Sequence, residues 1–144
     1  TTDTAEATRD WGLGTYTVDT PRSQAAVGFI GGRTIELADV TIAVQSPNAS
    51  VSVHSLDGRP IAESRQILVA LSAVNQPASE GRASFRSQPL GGEISIRAPA
   101  GLQATVGQEV MGPLPAGAIK RSGDRYTLTL GNTQGARWVV LRAP

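Results

Sequence analysis

The stretch Gly14-Thr-Tyr-Thr-Val-Asp-Thr-Pro-Arg-Ser-Gln-Ala-Ala-Val-Gly-Phe-Ile30 reads as two strands broken by a turn. Thr15, Tyr16, Thr17 and Val18 are β-branched or aromatic and suit a pleated surface. Pro21 has no N–H to give a ladder and marks the turn, where Asp19 and Thr20 can bond their own backbone. Ala25 to Ile30 then runs apolar, which predicts a core position for Phe29. Gly28, inside that run, predicts a bulge or a close approach of another backbone.

The same pattern continues outward. Thr34-Ile-Glu-Leu and Val40-Thr-Ile-Ala-Val alternate with period two, as half-buried strands do. After the Ser46-Pro-Asn48 turn, Val51 and Val53 face one way while Ser52 and His54 face the other. Asp57-Gly58 predicts a tight hairpin turn. Gln66-Ile-Leu-Val-Ala-Leu-Ser72 is nearly all apolar and predicts a central strand buried on both faces. Phe85 sits in a short strand within a polar stretch, and Glu93-Ile-Ser-Ile-Arg97 alternates. Gln103 to Met111 predicts one strand, Tyr126-Thr-Leu-Thr-Leu130 another, and Arg137-Trp-Val-Val-Leu-Arg142 a last one. About ten short strands with regular turn signals and no sustained helical period indicate an all-β fold. Two antiparallel sheets packed face to face, a jelly-roll-like sandwich, are the expected architecture. The expected division is a linker over 1–12 leading in from a preceding domain, and a sandwich over 13–144.

Composition narrows the function. The chain has 144 residues, 40% hydrophobic and 17% charged, with a net charge of +1. That length supports a core without staples, and the balance of charge lacks the basic footprint of a nucleic-acid binder. There is no Cys, which removes disulfides, thiol catalysis and cysteine-held metals. No apolar run approaches the ~20 residues of a membrane helix. The opening Thr1-Thr-Asp-Thr-Ala-Glu6 is polar and shows no signal-peptide pattern, which suggests a processed protein or an excised module.

Catalytic readings are thin. The single His54 rules out a multi-His metal site, and no Gly-x-Ser-x-Gly elbow accompanies it. Gly12-Leu-Gly and Gly31-Gly lack the strand–loop–helix context of a phosphate cradle. A lyase acting on acidic sugars would want a Tyr or His base and cationic neutralisers; Tyr126, Arg125 and His54 are the nominal set. Sugar binding instead needs flat aromatic faces with polar groups beside them. Trp11 is an exposed platform or an anchor against a neighbouring domain. Tyr16 and Tyr126 alternate with Thr, so either ring lines a face or points inward. Trp138, beside Val139 and Val140, reads as core packing before ligand stacking. Arg22, after Pro21, binds a carboxylate of a ligand or partner, or else pairs with Asp19 or Asp39.

Three segments carry a resemblance: Asp3-Thr-Ala-Glu-Ala-Thr-Arg-Asp-Trp11, Gly14 to Gly28, and Ser55-Leu-Asp-Gly-Arg-Pro-Ile-Ala-Glu-Ser-Arg-Gln-Ile-Leu-Val69. The chain resembles the C-terminal β-sandwich that follows the catalytic barrel in bacterial glycoside hydrolases of the cellulase-like and agarase-like kind. The resemblance is clearest over residues 3–75. It implies a secreted or cell-envelope, non-catalytic accessory module. That module would bind polysaccharide, buttress a glycosidase catalytic domain in cis, or both. Its expected binding residues are Trp11, Tyr16, Arg22, Tyr126 and Trp138. No cofactor is expected: sandwich modules of this type often hold structural calcium, but no acidic loop here has calcium-ligand spacing.

Overall fold

Period-two alternation resolves into strands throughout the computed structural model, which describes residues 5–77, 85–88, 90–107, 111–132 and 137–144. The first half of the chain forms β1 (Ala7–Asp10), β2 (Thr15–Asp19), β3 (Ser23–Gly28), β4 (Thr34–Glu36), β5 (Val40–Val44), β6 (Ala49–Ser55) and β7 (Gln66–Ala73). The second half adds β8 (Asn75–Pro77), β9 (Phe85–Ser87), β10 (Gly92–Arg97), β11 (Gln103–Gly107) and β12 (Met111–Pro113). It ends with β13 (Ile119–Ser122), β14 (Arg125–Thr129) and β15 (Trp138–Arg142). The only helical pieces among the described residues are short 3-10 turns at Ile61–Glu63 and Leu130–Asn132.

The strands make two antiparallel sheets, as expected of a β-sandwich, plus a two-stranded β8–β9 pair. The larger sheet has eight strands in the order β1-β2-β3-β6-β7-β15-β11-β12; the smaller has five in the order β13-β14-β10-β5-β4. The core is one cluster fed by both inner faces. Ala26, Val51, Val53, Ile67, Val69, Leu71, Val139 and Leu141 come from the larger sheet, and Val40, Ile42, Val44, Ile94, Ile96 and Leu128 from the smaller. Full burial of each Val, Leu or Ile side chain among them is worth about 1.5–3 kcal/mol. The edges of the smaller sheet are short; β13 carries Lys120 and Arg121 and β4 carries Glu36, charges that discourage further pairing.

A polar tie links the sheets at one end. Gln24, fully buried on β3, donates from Nε2 to Asp39 Oδ2 (3.2 Å), and its Oε1 accepts the Asp39 N–H (2.9 Å). Arg97, at the end of β10, donates from Nε to Asp39 Oδ1 (2.9 Å). Asp39 in return raises the Arg97 guanidinium above its ordinary value by hydrogen bonding and by charge. A buried Gln and a buried Asp thus satisfy each other, as low dielectric demands.

Several expectations shift. Within the expected linker over 1–12, Ala7–Asp10 form β1, paired residue for residue with β2 from Ala7↔Val18 to Asp10↔Thr15. The boundary expected after residue 12 therefore falls in the β1–β2 turn. Of the single strand expected over 103–111, Gln103–Gly107 is β11 and Met111 opens β12, paired antiparallel to it; 108–110 lie outside the described residues. The Asp57-Gly58 pair does not make a two-residue hairpin; β6 ends at Ser55 and β7 begins at Gln66. Asp57 instead gathers the connection. Its carboxylate accepts from the backbone N–H of Arg65 (2.8 Å) and Arg59 (3.3 Å), and from Oγ of Ser64 (2.9 Å) and Ser55 (3.0 Å). β7 is central, between β6 and β15, but is buried on one face only: Ile67, Val69 and Leu71 are inside, whereas Leu68 and Ala70 lie half-buried on the outer face.

Candidate functional site

The site begins with the β1–β2 turn. Asp10 Oδ1 accepts the Leu13 N–H at 2.9 Å, a local closure that Asp readily makes. Gly14 follows with φ +65°, a left-handed conformation suited to glycine. A turn this short has no interior, so Trp11 and Leu13 project into solvent, Trp11 with 77% of its surface exposed. The Arg9 guanidinium lies 3.6 Å from the Trp11 ring centroid, a cation–π stack.

Across the ladder, Tyr16 pairs with Val27 of β3. Both face outward, Tyr16 with 43% of its surface exposed. The end of β3 is pinned to the turn. Gly28 has φ +105°, and a Cβ there would lie 2.2 Å from the Gly14 carbonyl oxygen. That carbonyl accepts the Phe29 N–H at 3.1 Å. The close approach expected at Gly28 is therefore real. Phe29 is not in the core, as the apolar run had suggested. It is 60% exposed, and its ring sits against Gly14, where an added Cβ would meet Phe29 Cδ2 at 2.7 Å. Arg9, Asp10, Trp11, Gly14, Thr15, Tyr16, Val27 and Gly28 together line an open depression of about 360 Å³.

The other expected binding residues lie elsewhere. Trp138 is not core: with Val139 and Leu141 pointing inward, it is on the outer face of the larger sheet with 38% of its surface exposed. Tyr126 is 5% exposed and built into the core. Its hydroxyl donates to Pro99 O (2.9 Å) and accepts the Leu102 N–H (3.1 Å), and Arg121 stacks on its ring at 5.6 Å. Its ring is therefore structural and offers no face to a ligand. Arg22 sits in the β2–β3 turn, at the far end of β2 from Trp11, which for a five-residue strand is roughly 17 Å. Among the described residues it forms no ion pair with Asp19 or Asp39. Asp39 is taken by Arg97, and Asp19 accepts the Ala38 N–H. Arg9, which the sequence reading passed over, is the arginine beside the aromatic rings; its parity with outward-facing Tyr16 across the β1–β2 register was the available signal.

The nominal lyase set does not converge. His54 is on the outer face of the larger sheet, its Nδ1 2.9 Å from Ser23 Oγ. Tyr126 points into the core, and Arg125 reaches Ser95 Oγ on the outside of the smaller sheet (3.4 Å). No cluster of three or more His, Asp or Glu side chains among the described residues is arranged to hold a metal ion. No protein-family model, curated protein or solved structure matches this chain.

Proposed function

We propose that this domain is a non-catalytic carbohydrate-binding module that tethers a polysaccharide-degrading enzyme to its substrate. The supporting observation is the gathering of the exposed Trp11 and Tyr16 rings, with Arg9 and Asp10, around one open depression. Flat rings cover the apolar faces of pyranoses, and charged and polar neighbours bond the hydroxyls. Tethering acts through effective concentration and needs no chemistry of its own. With few rings in contact, the dissociation constant falls between about 1 μM and 1 mM.

The test is affinity electrophoresis through gels containing cellulose derivatives, xylan, β-glucan or agar-type polymer. Wild type is retarded in at least one gel, and Trp11→Ala and Tyr16→Ala are not. Free migration of the wild type in all of them refutes the reading. A second reading, packing against a glycosidase domain, is favoured by Leu13 and Phe29, whose exposed apolar surfaces adjoin the same turn. It predicts that Phe29→Asp loosens the domain from its neighbour while leaving sugar retention intact.

A further inference from the structure

The depression at Trp11 does not stop at β3. Val27 also lines a second, shallower hollow of about 120 Å³, bounded by Asn48, Ala49, Ser50, Ser72, Ala73 and Val74. The register explains the continuity. Arg9 stands opposite Tyr16, Tyr16 opposite Val27, Val27 opposite Ser50 and Ser50 opposite Ser72, one outward-facing row across five strands. At the far end, Trp138 of β15 pairs with Ala70, two residues from Ser72 on the same strand face. That diagonal places the indole within reach of the row. Tyr16 and Trp138 are four strand spacings apart, or about 19 Å at ~4.8 Å each.

The chemistry of this strip is unusual for the outer face of a sheet. The neighbouring row is Ala7, Val18, Ala25, Ser52, Ala70 and Trp138, and it carries no charge. Beyond Arg9 at one end, the two rows carry hydroxyls, small apolar side chains and aromatic rings. An ordinary solvent face would carry Lys, Glu and Arg there.

Resting on the carbohydrate-binding reading, we infer that the ligand is a neutral, linear glycan lying across the strands from Trp11 and Tyr16 to Trp138. A strip of this length takes several consecutive sugar rings, stacked at both ends and hydroxyl-bonded by Ser50 and Ser72 between. Neutrality follows from charge complementarity: an acidic glycan carries charge along its length and, within these two rows, meets a cation only at Arg9.

Calorimetry with neutral cello-, xylo-, laminari- and agaro-oligosaccharides, from disaccharide to hexasaccharide, with oligogalacturonides as the acidic series, tests this. In one neutral series affinity rises about tenfold or more from disaccharide to hexasaccharide. Trp138→Ala and Ser72→Glu each remove that gain and leave disaccharide binding unchanged, whereas Trp11→Ala abolishes both. Ser72 is exposed, so its substitution reports on the strip even if Trp138→Ala disturbs β15. Length-independent affinity, or Trp138 and Ser72 variants that bind like wild type, overturns the inference and leaves the site at Trp11. Tighter binding of oligogalacturonides also overturns it. No binding to any series overturns the carbohydrate reading itself.

Discussion

Gly28→Ala tests the feature that holds the aromatic end together. The substitution forces a side chain onto φ +105° and drives its Cβ to 2.2 Å from the Gly14 carbonyl oxygen. A residue held in so sparsely populated a conformation costs about 1–3 kcal/mol. The clash displaces the carbonyl that accepts the Phe29 N–H, which removes a further hydrogen bond of about 1 kcal/mol. The expected loss is about 2–4 kcal/mol, or roughly 5–15 °C in melting temperature for a domain of this size. Gly32→Ala is the control: Gly32 also has positive φ (+72°), but nothing lies within 4 Å of its added Cβ. It carries only the left-handed penalty of about 1–2 kcal/mol. The reduced entropy of the unfolded chain is common to both and cancels in the comparison. Urea unfolding of the two variants in parallel isolates the steric part. If Gly28→Ala is as stable as Gly32→Ala, the Gly14–Gly28 approach does not organise this end of the sheet. On the proposed function, Gly28→Ala also weakens glycan retention, because the Gly14 turn presents Trp11.

The polar networks give further tests. Asp57→Asn lowers stability near neutral pH, since its carboxylate accepts from Arg65, Ser64, Ser55 and Arg59 and is held well below the usual carboxylate range, chiefly by the Arg65 N–H. A carboxyl depressed in the folded state stabilises above its unfolded value near 3.8 and loses that contribution as pH falls toward the lower folded value, so urea midpoints of wild type and variant converge in acid. Asp39→Ala removes the carboxylate that accepts from Gln24 Nε2, leaving that amide its bonds to Thr20 O and the backbone N–H of residue 39, and the lost charged hydrogen bond costs about 1–3 kcal/mol, read by thermal denaturation. Tyr126→Phe removes the hydroxyl shared by Pro99 and Leu102 and costs about 1–2 kcal/mol, with glycan retention unchanged because the ring is internal.

Strand alternation was enough to recover the sandwich, and it contained more about the site than was taken from it. In Trp138-Val-Val-Leu-Arg142, Arg142 shares parity with Trp138, and a charged residue at a strand position points to solvent. Trp138 therefore had to be outside with it, as it is. In Ala25-Ala-Val-Gly-Phe-Ile30, the unbroken apolar run hid the alternation. Ala26 and Ile30 are buried, and Val27 and Phe29 are exposed at the intervening positions. Apolar composition cannot say which parity is inside when both parities are apolar; the neighbouring strand decides, and here outward-facing Tyr16 opposite Val27 does so.

The two tyrosines show where local pattern stops. Thr-Tyr-Thr-Val and Tyr-Thr-Leu-Thr offer the same alternation, yet Tyr16 faces water and Tyr126 the core. In β14, Leu128 shares parity with Tyr126, as does Leu130 just beyond the strand, and they draw it inside, where Pro99 and Leu102 bond its hydroxyl. In β2, Val18 shares parity with Tyr16, but Thr15 and Thr17 take the inner face opposite Gly28 and Ala26. Gly28 fits that arrangement: opposite Thr15, its missing Cβ leaves room for the Gly14 carbonyl. The outward face of Tyr16 is thus read in the β2–β3 pairing, with its contact between residues 14 and 28, and in no single strand's pattern.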